Sequence, residues 1–150
     1  MTFRKATKRD LPAIVELLAD DILGAKREDA RHPLPDCYMN AFGNIEEDKN
    51  QELIVADDEK GMIVGTLQIT FIQYLNYKGG IRALIESVRI HKEFRGKALG
   101  SEMIGWAVER SKGRGAHIIQ LTTDKQRPEA IKFYEKLGFV ASHEGFKMHV

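Results

Sequence analysis

Residues 85–101 read IESVRIHKEFRGKALGS. Ile85, Val88 and Ile90 mark a strand, His91 to Glu93 a polar turn, and Arg95-Gly96-Lys97-Ala98-Leu99-Gly100-Ser101 the entry to a helix of about fifteen residues ending near Gly113. A strand that delivers a glycine-containing turn onto a helix N-terminus gathers unpaired backbone N–H groups and the positive end of the helix dipole at one point. That arrangement binds anions. It is not a P-loop, because neither Gly96 nor Gly100 stands four residues before a Gly-Lys-Ser/Thr, and no GxGxxG follows a strand.

Upstream of this stretch the same strand begins at Ile81, and its apolar parity changes along its length. Ile81, Ala83 and Ile85 hold one phase and Val88 and Ile90 the other, so the two-residue period slips near Glu86-Ser87. A bulge produces such a slip, and bulges splay strands beside active sites. A strand buried on both faces also shows mixed parity. Two further strands, Glu52 to Ala56 and Met62 to Tyr74, complete an antiparallel meander. Earlier still, Phe3 to Thr7 reads as a strand, and Leu11, Ile14, Val15, Leu17, Leu18, Ile22 and Leu23 as the apolar stripe of a core-facing helix. Between Gly24 and Asn50 the pattern weakens: the charged run Lys26 to Arg31 suits a second helix, and Tyr38, Met39, Phe42 and Ile45 another short one.

Downstream, Leu99, Met103, Ile104 and Ala107 lie along the helix, His117 to Thr123 forms an apolar strand, and Pro128 to Leu137 a helix with proline at its start. Phe139 to Ala141 and Gly145 to Val150 read as a closing hairpin. Residues 1–150 thus form a single α/β domain. A domain of this size buries roughly 68 to 70% of its unfolded surface and needs no staple. The 23 basic and 22 acidic residues argue against a nucleic-acid partner held by phosphate neutralisation. Cys37 is the single cysteine, and the histidines show no metal-site spacing, so no metal is expected. The N-terminus lacks the apolar core of a signal peptide and no run is long enough to span a membrane; a cytoplasmic protein with no membrane partner is expected.

Arg95-x-x-Ala98-x-Gly100 resembles the Arg/Gln-x-x-Gly-x-Gly/Ala pyrophosphate loop of the GNAT superfamily of acetyl-CoA-dependent N-acetyltransferases, with Ala98 where the family usually has glycine. Ala130-Ile131-Lys132-Phe133-Tyr134-Glu135-Lys136-Leu137-Gly138-Phe139 resembles the family's other motif, Ala-x-x-Phe/Leu-Tyr-Glu-Lys-x-Gly-Phe. An asparagine often precedes that motif, and Arg127 stands there in this chain. The resemblance implies a mixed, mostly antiparallel sheet of about six to seven strands, flanked by about four helices and splayed at the strand that receives acetyl-CoA. It implies acetyl-CoA as co-substrate and an amine as acceptor, with the segment between the first two strands lining the acceptor pocket.

The resemblance also assigns roles. Backbone groups of Val88, Arg89 and Ile90 would meet pantetheine and the thioester carbonyl, and Arg95, Gly96, Lys97, Ala98, Leu99, Gly100 and Ser101 would hold the pyrophosphate. Where the family's asparagine is missing, Lys125 and Arg127 are placed to take over its work or to meet the ribose phosphate; the alternative for both is a solvated surface. Tyr134 would donate a proton to the departing thiolate; its bland alternative is a core tyrosine beside Phe133 and Phe139. Glu86, on the slipped strand between apolar neighbours, is placed to take the amine's proton as a partly buried carboxylate. The alternative is a structural carboxylate paired with Arg82 or Arg89. A homodimer, formed through the C-terminal hairpin, fits the family. The rival from another class is a non-catalytic acetyl-CoA-binding sensor or regulatory module.

Overall fold

Strand β3, Ile63–Gln73, is buried on both faces over most of its length, and that fixes the layering of the fold. The computed structural model describes residues 1–150. These divide into two compact units, Met1–Gln120 and Leu121–Val150. In the first, β1 (Thr2–Lys5), β2 (Gln51–Asp57), β3 and β4 (Ile81–Ile90) pair antiparallel in chain order, and β5 (Ile118–Leu121) follows β4. The mixed sheet therefore has five strands, against the six or seven expected.

Odd-numbered residues of β3 face α4 (Leu99–Gly113). A Cβ on Gly65 would stand 2.6 Å from the sulfur of Met103, and the Arg114 guanidinium, just past α4, lies 4.3 Å from the Phe71 ring centroid. Even-numbered Thr66 and Gln68 face α1 (Leu11–Ala19) and α2 (Asp36–Glu47). Leu11, Ile14, Val15 and Leu17 of α1, and Leu99, Met103, Ile104 and Ala107 of α4, are buried. The meander reading holds closely: β4 has the bounds read from the sequence, and β2 and β3 each differ by a residue or so at their ends. Between β3 and β4, the short turn α3 (Asn76–Gly79) takes left-handed backbone at Tyr77 and Lys78.

The first helix is shorter than its apolar stripe. Asp20 breaks it, Asp21 Oδ1 accepts from the N–H groups of Leu23 and Gly24, and Ile22 is 82% exposed. Gly24 is required there, since a Cβ would lie 1.9 Å from the Leu18 carbonyl oxygen. Only one 3-10 turn, Gly24–Lys26, forms in the region expected to hold a helix over Lys26 to Arg31. Local capping by Asp21 and the tight approach of Gly24 redirect the chain before the charged run can continue a helix.

In the second unit α5 (Pro128–Lys136) follows a turn in which Asp124 Oδ1 accepts from the Gln126 N–H, and Arg127 forms its N-cap. Gly138, at φ 90, ends the helix, with its N–H donating to the Glu135 carbonyl. The closing hairpin expected over 139–150 does not form. Those residues have no regular secondary structure, because a strand needs a neighbouring ladder and this unit supplies none. No helix of the chain is long and apolar enough to cross a membrane.

Candidate functional site

The parity slip in β4 is a bulge. Thr66 pairs with Arg89 and Gln68 with Glu86, so two steps on β3 face three on β4. The extra residue sits at Ser87, whose φ of 54 is left-handed. One reversal of phase is thereby built into the strand, and Glu86 is aimed away from the core. Its side chain is exposed, contrary to the expected partial burial. Both arginines considered as its partners engage other groups. Arg82 Nη1 donates to Gln120 Oε1 at 2.8 Å and its guanidinium stacks over Tyr74, while Arg89 Nε lies 3.0 Å from Asp21 Oδ2. Arg89 is thereby tied to the end of α1, with Nη1 also donating to the Val88 carbonyl. Alternation from buried Ile85 places Glu86 on the opposite face, and the inserted Ser87, which further alternation would have turned inward, is exposed beside it.

Beyond β4 a 3-10 turn over Lys92–Phe94 leads into the anion loop. Gly96 has φ 73 and Ala98 φ 47, so the chain reverses twice within three residues. Ala98 is the N-cap of α4 and makes no side-chain capping bond, and Glu102 N–H donates to its carbonyl. Residues 95–98 are exposed and Leu99 is buried, which anchors the helix while its first turn faces outward. Lys97 Nζ lies 5.6 Å from the Phe94 ring centroid. Arg95 does something the sequence did not indicate. Its Nε donates to the Ile90 carbonyl and its Nη2 to the Asp20 carbonyl and carboxylate, so it clamps the loop between β4 and the end of α1.

A cavity of about 160 Å³ lies between α1, α2 and the sheet, with Ser87 of the bulge in its wall. Tyr38, on α2, donates to Glu28 Oε2 and accepts from the Asp29 N–H, holding the irregular segment against the helix. Burial, the larger influence, raises the Tyr38 phenol above its ordinary pKa, and hydrogen bonding to Glu28 adds to the rise. His32 Nε2 lies 3.1 Å from Glu16 Oε1 on the exposed side of α1. Parity revealed the bulge, but the cavity was missed: Ile14, Val15 and Phe42 carry the periodicity of any core helix, and nothing in it distinguishes a residue facing a void.

In the second unit Tyr134 is half-buried, with ring centroids 5.1 Å from Phe133 and 5.9 Å from Phe139. Both aromatics of the bland reading are thus its neighbours within this unit. Lys125 Nζ lies 3.7 Å from Glu144 Oε2 on the surface. No group of three or more His, Cys, Asp or Glu is arranged to hold a metal ion.

Comparison with known proteins adds an independent line. A solved structure described as a transcriptional regulator from Bacillus halodurans C-125 superposes with a TM-score of 0.96 at 58% identity, covering 99% of each chain. The L-methionine sulfoximine/L-methionine sulfone acetyltransferase of Pseudomonas paraeruginosa is 24% identical over 144 residues, 94% of this chain and 81% of that protein. The aminoalkylphosphonate N-acetyltransferase of Salmonella typhimurium strain LT2 is 30% identical over 86 residues, which is 57% of this chain and 55% of the relative's length. The family model Acetyltransferase (GNAT) matches residues 16–139, spanning the β4 bulge, the anion loop and the Tyr134 motif. The chain belongs to the acetyltransferase (GNAT) family.

Proposed function

We propose that residues 1–150 act as one domain, a cytoplasmic N-acetyltransferase that moves the acetyl group of acetyl-CoA directly to a primary amine in a ternary complex. The observation that carries this reading is the succession of the Ser87 bulge and the uncapped, outward-facing first turn of α4 on one continuous stretch. The first suits a thioester, the second a pyrophosphate. On this reading Gly96 to Ser101 hold the pyrophosphate through backbone N–H groups, and Lys97 adds charge. Arg95 shapes the loop through Asp20. Arg127, at the start of α5, serves the same cofactor. The N–H groups of Val88 and Ile90 serve the pantetheine and the thioester carbonyl, and Arg89 fixes their strand through Asp21.

The amine nitrogen attacks the thioester carbonyl carbon, a C–N bond forms and the C–S bond breaks. The ammonium proton passes to Glu86, and the thiolate takes a proton from the Tyr134 hydroxyl. The exposure of Glu86 supports this, since a base for a soluble amine must be reachable. Glu86→Gln should lower kcat/KM about a hundredfold or more, with acetyl-CoA affinity within a fewfold of wild type. Tyr134→Phe should do likewise, and an unchanged rate in both would refute the roles.

The B. halodurans relative, described as a transcriptional regulator, favours a second reading, an acetyl-CoA-binding sensor that keeps the anion loop without turnover. Under it, both substitutions would leave every measured output unchanged. A homodimer is proposed as well. Phe146, Met148 and Val150 are 95%, 87% and 117% exposed, one apolar side chain at every second residue. Such a segment suits pairing with a sheet edge of a second copy.

A further inference from the structure

The cavity beside the bulge has a built shape. Its floor is made by Leu11, Ile14, Val15, Phe42 and Thr66, all buried, and its mouth by Ala41 and Ser87, both exposed. Ser87 is the only β4 residue in the wall, and it is the inserted residue next to Glu86. The entrance therefore opens where the acetyl group would be transferred. No Asp, Glu, Lys, Arg or His lines it.

Three of the polar groups in the wall are already engaged. Thr66 Oγ1 donates to the Ile54 carbonyl at 2.9 Å, Gln68 Nε2 donates to Gln51 Oε1 at 2.8 Å, and the Tyr38 hydroxyl bridges Glu28 and the Asp29 N–H. What remains for an occupant is apolar contact, apart from Gln68 Oε1 and the Ser87 hydroxyl at the mouth. A predominantly apolar cavity of roughly 150 Å³ admits a molecule of the size of benzene. A charged group would lose its hydration there with no partner to replace it.

Resting on the acetyl-transfer reading above, we propose that this cavity takes the side group of the acceptor. The acceptor is then a primary amine carrying one uncharged apolar substituent, about as large as a phenyl ring or a branched pentyl chain. Its nitrogen stays at the mouth, beside Ser87 and Glu86. Ala41 and Ser87 set the width of the entrance, and Phe42 and Ile14 limit the depth.

The test has two arms. In the first, kcat/KM is measured with acetyl-CoA and methylamine, propylamine, isopentylamine, benzylamine and 1,4-diaminobutane. Each buried methylene should raise it about three- to fourfold up to isopentylamine or benzylamine, and the diamine should fall below propylamine. In Ala41→Phe, whose folding is checked by its melting temperature, the benzylamine-to-methylamine ratio should collapse at least tenfold. In the second arm, benzene is titrated into methyl-labelled protein without acetyl-CoA. Saturable shifts confined to the methyl groups of Ile14, Leu18 and Ile45, and lost in Ala41→Phe, are expected. Turnover with no dependence on amine size overturns this proposal and leaves the acetyl-transfer reading standing. Benzene binding without turnover of any amine overturns both the acceptor assignment and that reading. Absence of benzene binding overturns the cavity as an apolar site.

Discussion

Ala98 holds a left-handed backbone, φ 47, at the N-cap of α4, where a Cβ costs about 1–2 kcal/mol relative to glycine. Replacing it by glycine removes that strain but adds about 0.4–1 kcal/mol of unfolded-chain entropy. The strain is the larger of the two, so Ala98→Gly should stabilise by roughly 0.5–1 kcal/mol, a rise of about 1–4 °C in Tm. Ala98→Val should do the opposite, since a β-branched side chain is poorly tolerated there, and lose about 1–2 kcal/mol in denaturant titration. At this scale the sequence was legible where chemistry is local. The position of Ala98 in its motif could be read from the residues, and so could the parity slip beside Glu86. The clamp of Arg95 on Asp20 could not, because it joins residues 75 apart and depends on where α1 ends.

Among the elements, β2 and α4 are tied by one buried carboxylate. Glu52, 2% exposed, accepts from Arg110 at 2.6 Å and 2.9 Å and from Arg114 at 3.0 Å, with Lys5 Nζ at 3.6 Å. Burial pushes the Glu52 carboxyl up, but Arg110, with Lys5 and Arg114, outweighs it and holds the group below its ordinary value. Asp10 is held low chiefly by its hydrogen bond from Arg4. Both carboxylates thus add stability above the ordinary carboxylate range that is lost as pH falls through their depressed native values. Unfolding free energy should be flat from about pH 8 to 5 and decline below about pH 4. Glu52→Gln should cost about 2–4 kcal/mol at pH 7, and flatten the acid decline, as urea titrations across pH would read. The elements themselves were mostly legible. The β2–β3–β4 meander follows from alternation, and α4 and α5 from their apolar spacing and Pro128. The first helix was overread, since Ile22 continues the stripe while Asp20 and Asp21 end the helix by capping. The C-terminal hairpin was overread for a related reason. Alternation at Phe146, Met148 and Val150 shows the capacity to be a strand and says nothing of whether a ladder is present.

At the scale of the whole molecule, the chain has a sheet-centred unit with a dense core and a second unit in which no residue is fully buried. Thirty residues of that kind do not hold a fold alone. The proposed dimer supplies cover for the exposed arm: light scattering should give twice the chain mass, and Phe146→Asp with Met148→Asp should yield monomer. A single monomeric mass for wild type would rule the dimer out. The central claim is acetyl transfer, and free-thiol release from acetyl-CoA tests it most directly, with pooled primary amines as acceptors and a blank without acceptor. Amine-dependent release well above the blank, sharply reduced in Tyr134→Phe, is expected. Saturable acetyl-CoA binding with no release from any pool would contradict it and leave a sensor in its place.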